Sequence, residues 1–325
     1  MKAVQIHEFG GPEVLKYADV DDPEPTDGQV RLKIYACALN HVDIDVRDGI
    51  SRFPIEFPLT PGLEIVGTVD KLGPGTEGTV SEGDRVMPYL LGGEVFMGVA
   101  GPGGYAEYVC CPPEQLVPIP EGIDWAEAAA LQVAFGTSWH MLFTRGDLRI
   151  GETVLINSVS SGIGSAAVQL AKLAGAFVIG TSSSPEKLAA AEELGMDVGI
   201  NYKEQDIPEE VMKITDEGVD LVYEHVGGEL LQKGLQSLRP GGRLTTCGAH
   251  SGEVVDFDII PFFRSEWTIT GSFTYTREEL IKVLDFARRG LIKPQVADTY
   301  PLAETKAAME RMDGRDFFGK LVLLP

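Results

Sequence analysis

The segment NSVSSGIGSAAVQLAK, residues 157–172, sets two glycines, Gly162 and Gly164, shortly after the apolar run from Thr153 to Ile156. The run reads as a short buried strand. Ala166, Ala167, Leu170 and Ala171 recur at helical spacing, so the segment predicts strand, tight turn and helix in succession. Such a turn lets backbone N–H groups approach a pyrophosphate, and the helix N-terminus adds a favourable dipole. Ser161, Gly162, Ile163 and Gly164 are the expected cradle. Ser160 and Ser161 stand where glycine is usual, so the dinucleotide pattern is degenerate and a plain tight turn is the alternative.

A site that prefers NAD carries an acidic residue about 20 positions on, at the end of the second strand, to hold the ribose hydroxyls. Here that place reads GTSSSPEK, with Thr181, Ser182 and Ser183 instead of Asp or Glu. No carboxylate repels a ribose 2′-phosphate, and Lys187 either pairs with it or is a solvated helix residue. Tyr202, in INYKEQD, is a further candidate with packing as its alternative. The expected cofactor is NADPH rather than NADH. His225, in EHVGG at the end of a later strand, falls where parallel sheets bind their ligands, so it stands near the nicotinamide or packs under the sheet edge.

The elements that must position these residues are legible in outline. Up to about residue 120 the chain is β-rich, with QVRLKIYACAL, EIVGTVDKLG and GDRVMPYL punctuated by Gly and Pro. From DWAEAAALQVAFGTSWHMLF onward it turns helical, then alternates strands and helices to about residue 265, which implies a parallel sheet covered on both faces. Ser184 and Pro185 predict an N-cap and first helical residue, Gly195 the end of that helix, and RPGG at 239–242 a turn. The last segment mixes a short helix with β-like ends, as expected of a tail that rejoins the first domain.

At 325 residues two domains are expected, and the net charge of −22 disfavours nucleic acid and anionic membrane surfaces as partners. No apolar run approaches the roughly 18 residues of a membrane helix, and MKAVQIHEFGG lacks a signal-peptide core, so a cytoplasmic protein is expected. Cys37, Cys110, Cys111 and Cys247 form no CxxC and read as reduced, mostly buried thiols.

The ordered motifs NHVDIDVRDG, PGLEIVGTV, GDRV, GGYAEYV, NSVSSGIGSAAVQLAK, GTSSSPEK and FGKLVL resemble the medium-chain dehydrogenase/reductase superfamily, especially its zinc-independent quinone oxidoreductase branch. The resemblance covers essentially the whole chain. It implies an α/β fold with a GroES-like β-rich catalytic domain at 1–122 and a doubly wound Rossmann domain binding NADPH at 123–265. Residues 266–325 would complete the sheet edge and return to the catalytic domain. It also implies homodimers joined through the edge of the Rossmann sheet, for which EWTITGSFTY is the matching segment.

Zinc-dependent relatives carry a cysteine where this chain has Asn40 and a histidine where it has Leu63, and the cysteine lobe of structural zinc would fall at 84–109, which contains no cysteine. No metal is therefore expected. An unconventional site from His41, Asp43, Asp45 and His140 is the alternative to ordinary loop and core roles. Without a Lewis acid, quinones and α,β-unsaturated carbonyls are easier acceptors than simple ketones, because the added hydride's charge spreads onto oxygen.

The resemblance further implies that Asn40 contacts substrate or nicotinamide, with loop stabilisation as its alternative, and that Asp43 belongs to the same pattern. Asp45 stands where some relatives carry tyrosine, which leaves proton delivery to water or to Asp45 itself, or implies a different substrate altogether, with a plain surface carboxylate as the alternative role of Asp45. Thr137, Gly248, Ser272 and Phe273 are placed near the nicotinamide by family position, and Tyr105 is a structural motif residue. The expected function is reduction of a quinone or enone by NADPH without zinc. The alternatives are an alcohol or aldehyde dehydrogenase-like oxidoreductase and a non-catalytic NADPH-binding protein.

Overall fold

The computed structural model describes residues 1–90 and 96–325. Its elements, in chain order, begin with β1 (Lys2–Gln5), β2 (Lys16–Asp19), β3 (Val30–Ala38), α1 (His41–Asp48), β4 (Glu64–Leu72), β5 (Arg85–Pro88), β6 (Tyr108–Cys111) and β7 (Leu116–Pro118). Helix α2 (Trp125–Trp139) runs into a π-helical turn, His140–Arg145. Then come β8 (Thr153–Ile156), α3 (Gly162–Leu173), β9 (Phe177–Ser182), α4 (Pro185–Glu193), β10 (Val198–Asn201), α5 (Ile207–Thr215), β11 (Val219–Glu224), α6 (Gly228–Gln236), β12 (Leu238–Thr246), α7 (Ile259–Arg264), β13 (Thr268–Gly271) and α8 (Arg277–Arg288). The tail supplies β14 (Val296–Pro301), α9 (Thr305–Gly314) and β15 (Lys320–Leu324).

Two units result, Met1–Gln132 with Gln295–Pro325, and Val133–Pro294. These boundaries are displaced from those expected at 122/123 and 265/266. The first falls inside α2, whose continuous helical pattern hides it. The second lies later because β13 pairs with β12 in the nucleotide sheet, so residues 266–294 stay with that unit.

The first unit is built on a seven-stranded sheet in the order β14-β15-β3-β4-β5-β7, with β6 also on β3. The tail does rejoin it: β15 pairs antiparallel with β3, setting Leu323 opposite Cys37 and Val322 opposite Ala38. That pairing brings Lys320 to the end of β3, where α1 begins.

The second unit carries a parallel sheet in the order β10-β9-β8-β11-β12-β13. The order reverses between β8 and β11, the switch point at which doubly wound sheets bind ligands outside their strand C-termini. Leu155, Ile179, Ile200, Val222 and Leu244 are buried together with Ile207, Val211 and Leu235, as expected where helices cover both faces. Ser184 caps α4 by accepting from Lys187 N–H, with Pro185 at its first position, and Gly195 follows its end with φ +104°. The RPGG stretch is no free turn, because β12 runs through it, and the pairing with β11 jumps from Leu238 to Arg243. The excursion at 239–242 is a bulge within the strand. Among the described residues no helix is long and apolar enough to cross a membrane.

Candidate active site

In the second unit the turn after β8 is held from below. Asn157 N–H donates to the Tyr223 carbonyl at 3.1 Å, and Val159 N–H to the Thr181 carbonyl at 3.0 Å. Ser158 N–H donates to Thr181 Oγ1 at 3.1 Å, and Ser158 adopts φ +55°, a left-handed conformation that costs a non-glycine residue energy unless its neighbours impose it. Ser161 is the N-cap of α3, and its Oγ accepts from Gly164 N–H at 2.9 Å. A Cβ on Gly164 would lie 2.3 Å from the Ser158 carbonyl oxygen, so glycine is demanded there by the turn's own packing. The amides of Gly162 and Ile163 belong to the first turn of α3 and have no intrahelical acceptor. Of the predicted cradle, Ser161 and Gly164 therefore build the turn, while Gly162 and Ile163 present its donors.

His225 is buried, and burial pushes its pKa down to about 4, so it is neutral. Its Nε2 lies 2.9 Å from the Asn157 carbonyl, which accepts, so Nε2 carries the proton and donates. His225 thus braces the turn. Glu224, the residue before it, escaped the sequence reading. Its buried carboxylate accepts from Val226 and Gly227 N–H at 2.7 and 2.8 Å and from Thr246 Oγ1 at 2.9 Å, tying the ends of β11 and β12 together. The signal was present as an acidic residue ahead of a Gly-rich helix start. A Cβ on Gly248 would meet the His225 carbonyl oxygen at 2.2 Å, which fixes glycine at that position.

The remaining nucleotide candidates fall in different settings. The Ser182 Oγ is buried without a hydrogen-bond partner among the described residues, Ser183 is half-buried, and Lys187 lies half-buried in the first turn of α4. Tyr202 packs partly buried against the sheet core. Thr137 is buried within α2, Ser272 N–H donates to the Thr246 carbonyl at 2.9 Å, and Phe273 is exposed.

In the first unit a buried polar cluster surrounds the start of α1. Asn40 Nδ2 donates to Glu64 Oε2 at 2.8 Å, and Asn40 Oδ1 accepts from Lys320 Nζ at 2.8 Å. Lys320 also pairs with Glu64 Oε2 at 2.5 Å and donates to the Leu39 carbonyl at 2.6 Å. Asp43 is fully buried; its Oδ2 accepts from Asn40 N–H at 2.7 Å and from the Tyr105 hydroxyl at 3.0 Å, while Oδ1 has no partner among the described residues. Desolvation pushes the Asp43 carboxyl up to about 7 despite those hydrogen bonds. Asp43 supports the start of α1 from beneath, so it is a structural neighbour of Asn40 rather than a surface contact. Asp45 and His41 are half-buried on α1. Lys320, within FGKLVL, carries no local signal of its partners, because nothing in the pattern says which strand it will meet.

His140 is taken by Glu279, with Nδ1 2.9 Å from Oε2. Among the described residues no group of three His, Cys, Asp or Glu side chains is arranged to hold a metal ion. The segment 45–58 is anchored by aromatic contacts: Phe57 packs edge-on to Phe9 at 4.9 Å, and Phe53 against Phe96 at 5.6 Å.

Comparison with known proteins agrees with this architecture. Residues 26–121 match the alcohol dehydrogenase GroES-like domain, and residues 162–289 match the family described as zinc-binding dehydrogenase. Human quinone oxidoreductase is 30% identical over 100% of this chain and 98% of its own length. A 2-haloacrylate reductase from a Burkholderia species is 32% identical over 99% of this chain and 98% of its own. A crystal structure titled NAD-dependent alcohol dehydrogenase superposes with a TM-score of 0.94 at 35% identity, covering 100% of both chains. The chain belongs to the medium-chain dehydrogenase/reductase superfamily, in its quinone oxidoreductase-like branch, and is an oxidoreductase whose Rossmann unit binds a nicotinamide cofactor.

Proposed function

We propose that this protein reduces a quinone or an α,β-unsaturated carbonyl with NADPH, without zinc. The observation that carries the reading is the donor set at the start of α1: a carboxamide held between an ammonium and a carboxylate, Asn40 between Lys320 and Glu64. Such a set offers an N–H donor to an acceptor oxygen, where a metal centre needs converging N, S or O ligands.

The residues of the second unit fit a dinucleotide. The amides of Gly162 and Ile163 and the N-terminal dipole of α3, a helix running to Leu173, suit the pyrophosphate. Thr181, Ser182 and Ser183 put no carboxylate at the end of β9, and Lys187 on α4 suits a ribose 2′-phosphate, which supports NADPH over NADH. The bound cofactor supplies a hydride from its nicotinamide ring. The chain's own work is orientation: His225 and Glu224 brace the loops at the ends of β8, β11 and β12, and neutral His225 adds no charge there. Asn40 offers its amide to the acceptor oxygen as negative charge builds. Asp43 is buried, so the proton that completes the reduction, taken by the α-carbon of an enone or by the oxygen of a quinone, comes from water or Asp45.

The test is loss of NADPH absorbance, with NADH in parallel, across quinones and enones in metal-free buffer. Turnover favouring NADPH and insensitive to chelator supports the reading; turnover only with zinc present refutes it. A second reading, oxidation of an alcohol with NAD, is favoured by the 35% identity to the structure titled NAD-dependent alcohol dehydrogenase, and alcohols with NAD in the same assay distinguish it. Tight NADPH binding with no turnover would leave a non-catalytic nucleotide-binding protein.

The expected homodimer has physical support in the open edge of β13, whose Ile269 is 39% exposed, and in exposed Val254, Ile259, Ile260 and Phe263 beside it in sequence. An unpaired strand edge and a run of exposed apolar side chains both favour a second copy as partner. The acidic charge of −22 weighs against nucleic acid and anionic membranes.

A further inference from the structure

Lys320 is 6% exposed, and burying an ammonium is costly even when it is paired. A hydrophobic residue at this end of β15 would serve the sheet as well, so the pair with Glu64 calls for a reason other than stability. The ammonium has three N–H donors and meets three acceptors: the Leu39 carbonyl at 2.6 Å, Asn40 Oδ1 at 2.8 Å and Glu64 Oε2 at 2.5 Å.

This arrangement leaves the Asn40 carboxamide one orientation. Turned over, its NH2 would face the ammonium and its oxygen would face the Glu64 carboxylate, and both contacts are repulsive. In the orientation that remains, one Nδ2 proton is held by Glu64 at 2.8 Å. Among the described residues the other meets only the Ala38 carbonyl, at 3.4 Å, beyond the ordinary hydrogen-bond range of about 2.7–3.2 Å. Asn40 is half-buried, so this N–H is the polar group it can still offer. A cation bound at the amide oxygen draws electron density from nitrogen and strengthens that donor.

We propose that Lys320 is a positioning residue for the reduction: bound to Asn40 Oδ1, it orients and polarises the carboxamide so that the loosely held Nδ2–H donates to the acceptor oxygen as charge develops. The inference rests on the reductase reading above and deepens it. Lys320 does through an amide what a metal would do by direct coordination, stabilising an oxyanion from one contact away.

The experiment is a mutant cycle on the full chain, read by kcat and KM with 1,4-benzoquinone and 2-cyclohexen-1-one, by NADPH dissociation constant from fluorescence, and by melting temperature. The charge-balanced pair Lys320→Met with Glu64→Gln avoids leaving a lone buried carboxylate. It is expected to lose about 10- to 100-fold in kcat with NADPH affinity unchanged within about twofold. In an Asn40→Ser background the same pair should cost less than about twofold more, because the relay is already cut. Lys320→Arg should restore most of the rate. Should the Met pair fail to fold, Lys320→Gln with Glu64→Gln keeps hydrogen-bonding groups at both positions and carries the same cycle. An equal loss in both backgrounds, or no loss of kcat, overturns the inference while leaving the reductase standing. Failure of the unmodified protein to turn over any acceptor overturns the reductase reading itself, and the inference with it.

Discussion

Replacing Asp43 by asparagine removes a buried ionisable group while keeping its shape, and the consequence should be read in the pH dependence of stability. Asp43 is 0% exposed, and desolvation raises its carboxyl from 3.8 to about 7. Between those values the folded chain holds a proton that the unfolded chain has released, so stability falls as pH rises. The contribution is whole below about pH 4 and lost by about pH 7, at about 1.4 kcal/mol per pH unit, or about 4 kcal/mol in all. Asp43→Asn keeps an oxygen to accept from Asn40 N–H and Tyr105 OH, and it mimics the protonated acid at every pH. Its stability relative to the unmodified protein should therefore grow by about 3 kcal/mol between about pH 5 and 8. Urea unfolding of both proteins without cofactor, at fixed ionic strength across that range, measures the difference. A difference that stays constant with pH, or shrinks toward alkaline pH, would refute the assignment of a buried, proton-holding Asp43.

Gly164→Ala forces a Cβ to 2.3 Å from the Ser158 carbonyl oxygen and 2.8 Å from Val159 Cα, so it should cost about 1–3 kcal/mol and weaken NADPH at least about tenfold in a fluorescence titration. Gly314→Ala, at the end of α9 with open space around it, is the matched control and should be neutral or stabilising by up to about 1 kcal/mol in thermal melts. Lys187→Ala should raise the NADPH dissociation constant about 10-fold and leave NADH unchanged, an outcome that equal effects on both cofactors would contradict. Phe263→Asp, on a side chain 57% exposed, should shift sedimentation toward monomer without lowering the melting temperature by more than about 1–2 °C.

The nucleotide unit was readable from the chain because its signals are local. Alternating apolar runs and helical spacing name β8, α3 and β9, and Ser184, Pro185 and Gly195 mark the ends of α4, since caps and turns depend on residues a few positions apart. The motif order identified the superfamily, and the want of a carboxylate at 181–183 is a fact of sequence alone. What each turn residue does was not legible. Gly162 and Gly164 look equivalent in the sequence, yet one presents an amide and the other makes room for the Ser158 carbonyl.

The polar cluster was half visible. Asn40 and Asp43 lie three residues apart, but burial alone separates their roles: Asp43 is sealed beneath Asn40. Glu64 and Lys320 reach Asn40 only because β4 and β15 both lie against β3. Residue type, spacing and local caps therefore determined the elements, the family and the list of candidates. Strand pairing across hundreds of residues, and the dielectric environment it creates, decided which carboxylate is buried away from water, which is ion-paired and which amide is held between a cation and a carboxylate, because those properties belong to neighbours that the linear chain keeps apart.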